Sequence, residues 1–297
     1  MDDDKKQRTL GVLLGAGSYL WWGFMPAYFK LLDHIPAWEL TMHRAAWTCV
    51  LLVAVAVLRG ALRPLREVIR QPKLLGVLAV TTLLICTNWG VFLYAINTGR
   101  IVQGSLGYFI NPLVNVALGV LFLRERLRPL QGFAIALAAT GVGLLTWHYG
   151  VFPWISVILA CSFGFYGLLR KMAPVGAMEG LTIETGLILP ITLGAIVWLA
   201  VIGEGAFLGG SMQDNVLLAV SGIITATPLL LFAAAVKRLQ YATVGILQYL
   251  SPTIQFLLAV LAYGEPMDRG KLFSFCFIWA ALAVYSWDGL RSSRAKA

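Results

Sequence analysis

Charged residues are scarce in this chain. Asp, Glu, Lys and Arg together make up 12% of its 297 residues, whereas a soluble domain has about 25%. Hydrophobic residues make up 59%, and they are gathered into long runs that the few charges separate. This composition excludes an ordinary soluble domain and predicts an all-α membrane protein with many spans.

Reactive residues are also few. The chain has three histidines and four cysteines, and each cysteine lies inside an apolar run without CxxC or metal-ligand spacing. It lacks the HExxH, GxSxG and P-loop motifs as well. We therefore expect no disulfide framework, no metal, no cofactor and no catalytic residue, and the sequence does not favour an enzyme.

The net charge of +9 does not indicate a nucleic-acid partner, because Lys and Arg sit in short clusters between apolar runs. A span needs about 20 mostly apolar residues, and ten segments qualify. They cover approximately residues 10–32, 39–58, 74–98, 102–123, 129–147, 152–169, 180–202, 215–236, 243–263 and 271–290. The connections are short, so the expected partners are the lipid bilayer and a small-molecule solute.

Basic residues predict the topology of the bundle. If the N-terminus is cytoplasmic, the outer segments contain only Lys30, Arg100, Arg269 and Lys271. All other basic residues except the intramembrane Arg44 then face the cytoplasm. Because cytoplasmic segments carry an excess of Lys and Arg, both chain termini are predicted to face the cytoplasm.

The second half of the chain repeats the first at an offset of 140 residues. The run 105–125 is matched by 245–265, where Pro112 recurs as Pro252. Further matches in this ungapped register are Phe92 with Phe232, Ala95 with Ala235, and Glu125 with Glu265. The ten predicted spans therefore divide into five plus five.

The odd number of spans in each half predicts that the second half inserts upside down relative to the first. The predicted layout is a cytoplasmic tail 1–9, a first repeat 10–147, a second, inverted repeat 148–290 and a basic cytoplasmic tail 291–297. Two inverted halves can exchange conformations and so give inward-open and outward-open states. This organisation is typical of transporters whose substrate site lies between the repeats.

Polar residues follow one face of the fourth span and one face of the ninth. Tyr108, Asn111 and Asn115 are spaced at i, i+3 and i+7. Their matches are Gln248, Ser251 and Gln255. Each stripe encloses a proline, which frees a backbone carbonyl. We expect the two stripes to line a small polar cavity near the midplane. Alternatively, these side chains hydrogen-bond helices together.

Further candidates for the cavity lie in three other spans. In the third span they are Asn88 and its neighbour Trp89. In the first span, Trp22 is matched by Tyr166 of the sixth at an offset of 144, and both are predicted to wall the cavity. For the two aromatic residues the alternative is ordinary packing.

Two spans carry ionisable residues near their starts. Arg44, with His43 beside it, lies in the second span, and Glu184 lies in the seventh. Such residues mark functional sites in many membrane proteins. Glu184 could be a protonatable coupling group, and Arg44 an anion anchor or gate. The alternative is that both form ion pairs that stabilise the topology.

Inversion also predicts which residues neighbour these two charges. It places Arg44 and Glu184 in opposite leaflets, so we expect no direct salt bridge between them. The expected partners are Arg170 or Lys171 for Glu184, and Glu39 or the loop 265–268 for Arg44.

Several runs of the sequence resemble the RarD-type permeases of the EamA branch of the drug/metabolite transporter superfamily. They are SLGYFINPLVNVALGVLFLRERL (105–127), FYGLLRK (165–171), IET (183–185), TPLLLFAAA (227–235), QYLSPTIQFLLAVLAYGE (248–265) and FIWAALA (277–283). The resemblance implies a ten-helix inverted-repeat fold in a bacterial inner membrane. It also implies export of small organic solutes, often coupled to the proton gradient.

One departure from the family concerns the turn after the fourth span. This chain has Arg124-Glu125 there, whereas many relatives, and its own Gly264-Glu265, have Gly-Glu. The departure leaves open whether the turn at Arg124 is equally tight.

Repeat and resemblance agree on a secondary transporter, with export by alternating access as the expected activity and protons as the expected coupling ion. The mostly uncharged lining suits neutral, zwitterionic or aromatic solutes. Two alternatives stay open: an uptake or facilitated-diffusion permease, and a membrane sensory or binding subunit that transports nothing. The sequence does not predict the oligomeric state.

Overall fold

The computed structural model describes residues 2–150, 154–264 and 269–294, and within these ranges all regular structure is helical. The helices are α1 Asp2–Phe29, α2 Ala37–Leu58, α3 Leu62–Ile69, α4 Pro72–Asn97, α5 Ile101–Leu123, α6 Pro129–Tyr149, α7 Trp154–Met172, α8 Ala177–Ile202, α9 Met212–Val236, α10 Tyr241–Gln248, α11 Leu250–Leu257 and α12 Arg269–Arg294. A 3₁₀ turn, Lys30–Leu32, follows α1, and a π-helical turn, Leu258–Ala262, follows α11.

Nine helical stretches of the described chain are long and apolar enough to cross a bilayer. They are α2, α4 to α9, α12, and the stretch from α10 through the π-helical turn. Helix α1 has 28 residues, but its glycines and aromatic residues make it less apolar. The all-α membrane class is therefore confirmed, while the tenth span, the inversion and the cytoplasmic termini stay predictions.

The outer faces of the helices carry exposed apolar side chains. Trp147 is 87% exposed, and Val201 and Leu261 are each 79% exposed. Side chains of this size and polarity are not left facing water over a whole surface. The outer face of the bundle therefore fits a lipid environment.

Three observed elements differ from the predicted segments. Helix α1 begins at Asp2, so the predicted tail 1–9 is helical from that residue onwards. The predicted connection 59–73 contains α3, in which Leu65 and Val68 are buried at helical spacing against α4 and α8. Helix α12 continues to Arg294, and the rest of the predicted C-terminal tail lies outside the described residues.

The predicted ninth span is interrupted in its middle. Helix α10 ends at Gln248 and α11 begins at Leu250. Pro252 has no N–H and cannot donate to the carbonyl of Gln248, so the regular hydrogen-bond ladder fails there. The interruption falls within the second polar stripe.

Helix packing is similar when the two halves are exchanged. Helix α5 packs on α7, just as α10 and α11 pack on α1. Helix α2 packs on α9 as α4 does on α8, and α1 packs on α9 as α4 does on α7. Three further contacts join a helix to its own counterpart in the other half: α5–α10, α2–α8 and α6–α12. Two related five-helix halves are expected to produce this pattern.

The turn after α5 is as tight as its glycine counterpart. Arg124 has a φ of 54° and Gly264 a φ of 65°, both in the left-handed region. A non-glycine residue pays roughly 1–2 kcal/mol there. Beyond Arg124, the Glu125 carboxylate accepts hydrogen bonds from the backbone N–H groups of Tyr241 (2.6 Å) and Ala242 (3.0 Å). The strained turn thus delivers a carboxylate to the start of α10, where a negative charge is favourable.

Replacing Arg124 with glycine should stabilise the protein. Arg124→Gly relieves the left-handed strain but adds backbone entropy to the unfolded chain, which leaves a gain of about 0.5–1 kcal/mol. Unfolding of the purified protein in detergent measures this change. Arg126→Gly, two residues further along without a positive φ, is the matched control and should not stabilise. Equal destabilisation by both variants would show that the turn at Arg124 is not strained.

Candidate solute cavity between the two halves

A cavity of about 220 Å³ lies inside the bundle, with walls from both halves of the chain. The polar stripe of α5 meets the stripe of α10 and α11 there, beside aromatic residues of α1 and α4. Eight residues predicted from the sequence lie in its wall: Trp22, Asn88, Trp89, Tyr108, Asn111, Gln248, Ser251 and Gln255. The stripes therefore converge on one space.

Two of the predicted lining residues do not reach this cavity. Asn115 has no exposed surface, and its Nδ2 donates to Oε1 of Gln248 at 2.9 Å. Tyr166 is 1% exposed and packs beside Phe163 and Phe232 beneath the cavity. In this conformation both residues support the wall instead of forming it.

The amides also hold helices together. Asn88 Nδ2 donates to the Leu159 carbonyl at 2.9 Å, and Asn111 Nδ2 donates to the Ala160 carbonyl at 3.2 Å. Gln255 Nε2 donates to the Trp22 carbonyl at 3.2 Å. These residues therefore line the cavity and also hydrogen-bond neighbouring helices, so the two alternatives considered from the sequence occur together.

A close approach of α5 and α10 brings the two stripes together. A Cβ atom at Gly245 would lie 2.6 Å from the Pro112 carbonyl oxygen, so only glycine fits without a shift. One turn further along, the Tyr249 hydroxyl donates to the Phe109 carbonyl at 3.2 Å. The matched residues 109 and 249 therefore meet where the helices cross.

Sequence reasoning missed several apolar members of the wall. In α1, Met25, Pro26 and Phe29 follow Trp22 at i+3, i+4 and i+7. In α4, Ile85 and Phe92 flank Asn88 and Trp89 at the same helical spacing. Extending each predicted residue along its own helix face would have found them. The wall also contains Tyr19, Gly107, Leu159, Phe163, Thr225, Leu229 and Pro252.

Arg44 of α2 lies in the cavity wall. Its Nε donates to Thr225 Oγ1 at 3.0 Å. Its guanidinium carbon lies 4.8 Å from the centre of the Phe29 ring and 5.7 Å from that of Trp89. Arg44 is the one charged side chain in the wall as far as the described residues define it.

The expected pairing of Arg44 with Glu39 is wrong. The Glu39 carboxylate instead accepts a hydrogen bond from the Ala206 N–H at 2.7 Å and lies 3.9 Å from Nε2 of His43. His43 is buried against Phe207 and is not part of the cavity wall. The other expected partner, the loop 265–268, lies outside the described residues.

Glu184 lies in a separate buried cluster. Its Oε1 accepts from Thr81 Oγ1 at 2.6 Å and lies 3.6 Å from Arg170 Nε, while its Oε2 accepts from the Tyr166 hydroxyl at 3.2 Å. The expected contact with Arg170 is present. Both charges are buried, with 2% exposure for Glu184 and none for Arg170.

The bundle end that contains residue 2 and residue 294, called here the terminal end, is closed. Below the cavity it is filled by the buried rings of Tyr19, Phe232 and Tyr241. Lys171 Nζ donates to the carbonyl of Val236 at 2.8 Å, and Lys237 Nζ donates to that of Ala173 at 2.9 Å. Burial lowers the pKa of Lys237. A lysine at the C-terminal end of each of α7 and α9 thus donates to a carbonyl at the C-terminal end of the other.

Comparison with known proteins agrees with this architecture. Residues 9–147 match the EamA-like transporter family. An uncharacterized transporter of Pseudomonas aeruginosa is 46% identical, with 96% of this chain and 95% of that protein covered. Protein RarD of Escherichia coli is 42% identical, with 98% of both covered. The chloramphenicol-sensitive protein RarD of P. aeruginosa is 31% identical, with 97% of both covered.

A solved crystal structure shares the fold. Its TM-score is 0.70 at 19% identity, with 92% of this chain and 96% of that chain covered. Together with the sequence matches, this defines a multi-pass membrane transporter or permease. The chain belongs to the EamA-like transporter family and within it to the RarD-type permeases.

The bond between Asn115 and Gln248 should couple the two halves energetically. In a double-mutant cycle with Asn115→Leu and Gln248→Leu, we expect a coupling energy of about 0.5–1.5 kcal/mol, the range for hydrogen bonds between membrane helices. Unfolding of the four proteins in detergent gives the value. A cycle of Asn115→Leu with Thr140→Leu, on the exposed face of α6, should give none. Additivity in both cycles would contradict the link.

Proposed function

We propose that this protein is a secondary transporter of a bacterial inner membrane that moves small organic solutes by alternating access. The observation that carries the proposal is the solute-sized cavity between the two halves, which buried side chains close at the terminal end. A volume of about 220 Å³ is below the roughly 300–1,000 Å³ of sites for drug-sized ligands. Metabolite-sized solutes therefore fit it best.

The second state follows from the repeat. Gln255, Trp22 and Arg44 line the present cavity, and their matches in the other half are Asn115, Tyr166 and Glu184. All three matches are buried beneath the cavity. If the halves exchange conformations, these matches come to line a cavity at the terminal end. Asn115 and Tyr166, which were predicted to line the cavity but do not line it here, would then line it in the other state.

Glu184 is the proposed proton site. Its match in the other half, Arg44, lines the cavity in the present state. The hydroxyls of Thr81 and Tyr166 give its carboxylate a hydrogen-bonded setting in both protonation states, and Arg170 is its countercharge. Opening of the terminal end would expose this carboxylate to water, so protonation and conformation would be linked. Such linkage supports transport of a solute against its gradient, and export is the direction that we propose.

The proton proposal is tested by solute flux in proteoliposomes under an imposed pH gradient, with a panel of amino acids and aromatic drugs. Wild-type flux should require the gradient, and Glu184→Gln should remove at least nine-tenths of that stimulation because its side chain cannot titrate. Glu179→Gln, on the same helix but partly exposed, is the matched control. Exchange of solute without a gradient should survive in Glu184→Gln, which separates coupling from folding.

Other results would favour the other functions. Wild-type flux that survives collapse of the gradient would identify a facilitated-diffusion permease. In that case Asn115→Ala should abolish the flux and Glu184→Gln should not. Directional flux into the cytoplasmic side would identify uptake. Binding without flux for every solute would identify a sensory or binding subunit, and conversion of a solute to product would identify an enzyme.

A further inference from the structure

We infer that Arg44 forms a carboxylate-binding subsite, and that the cavity takes small solutes with one carboxylate on an aromatic or aliphatic body. This inference rests on the proposed function of the cavity as the transport path. It differs from the sequence-based expectation, in which a mostly uncharged lining suits neutral solutes as well.

Arg44 has no countercharge in the part of the chain that the structure describes. Among the described residues no carboxylate lies within 4.0 Å of its guanidinium, and Glu39, the acidic residue on its own helix, is engaged by Ala206 and His43. A cation within a membrane bundle is costly unless an anion or water accompanies it. An anionic solute would provide the missing charge while it is bound.

The neighbours of the Arg44 guanidinium restrict its orientation. Thr225 occupies Nε, and within the described structure no protein group accepts from Nη1 or Nη2 of Arg44. The rings of Phe29 and Trp89 lie within 6 Å of the guanidinium carbon, which restricts its orientation. Two parallel N–H groups fixed in this way match the two oxygens of a carboxylate.

The rest of the cavity wall is apolar or uncharged. Beyond Arg44 it consists of aromatic rings such as Trp22 and Phe163, aliphatic side chains, and neutral amides such as Gln248. The described wall contains no second cation, which a phosphate or a dicarboxylate would need. One carboxylate attached to an apolar body therefore complements both parts of the wall.

Binding of 3-phenylpropanoate and its neutral amide, 3-phenylpropanamide, to the purified full-length protein tests the inference. Isothermal titration calorimetry in detergent should give wild type a Kd at least tenfold lower for the carboxylate. Arg44→Gln should raise the carboxylate Kd at least tenfold and leave the amide Kd unchanged. Arg44→Lys keeps the charge without the two parallel N–H groups, so its carboxylate Kd should lie between those of wild type and Arg44→Gln. Arg100→Gln removes a cation outside the cavity and should have no effect.

Failure of this inference is distinguishable from failure of the proposed transport function. Equal binding of acid and amide by wild type, no binding of either, or an unchanged preference in Arg44→Gln would overturn the subsite. Gradient-driven flux of neutral solutes in proteoliposomes would then still support transport. A parallel loss of both ligands in Arg44→Gln, with the thermal unfolding midpoint retained, would also overturn it, because the arginine would then shape the cavity for every solute.

Discussion

The structure depends on the requirement that polar groups inside a bilayer have partners, because an unpartnered group there is costly. In this chain several amides and hydroxyls meet the requirement at the helix crossings. Asn88 and Asn111 donate to carbonyls of α7, Asn115 to Gln248, and Tyr249 to the carbonyl of Phe109. Because these bonds fix which helix faces meet, they also fix the position of the cavity between them.

The same requirement explains the opposite treatment of the two intramembrane charges. Glu184 is surrounded by Arg170, Thr81 and Tyr166, so its charge is compensated while the terminal end is closed. Among the described residues, Arg44 donates a hydrogen bond to Thr225 and lies beside two aromatic rings, without a carboxylate. The protein therefore compensates the charge at one matched position, whereas we propose that a solute compensates it at the other. A conformational exchange of the halves would reverse which of the two faces water.

Much of the fold could be predicted from hydropathy and spacing. The apolar runs gave the long helices, and the offset of 140 residues related the halves. Pairs of residues on one helix face, such as Tyr108 with Asn111, were found from helical spacing alone. The apolar wall residues Met25 and Phe29 follow the same rule, but only once Trp22 is known to face the cavity.

The remaining features could not be predicted because they depend on three-dimensional contacts and on conformation. Whether Glu39 pairs with Arg44 or with the Ala206 N–H depends on how the loop after α8 folds back. The left-handed turn at Arg124 depends on the hydrogen bonds that the Glu125 carboxylate accepts at the start of α10. Asn115 was predicted to line the cavity, yet a repeat pattern does not say which half lines the cavity in a given state.

Alternating access between the two halves is tested most directly by the accessibility of a matched pair of positions. In a background in which the four native cysteines are replaced, Phe92→Cys probes the present cavity wall and Phe232→Cys probes its fully buried match. Both variants must retain flux. A water-soluble thiol reagent should label only Phe92→Cys at rest, and Phe232→Cys should become reactive during solute turnover. Transport with Phe232→Cys unreactive throughout would contradict the exchange of conformations.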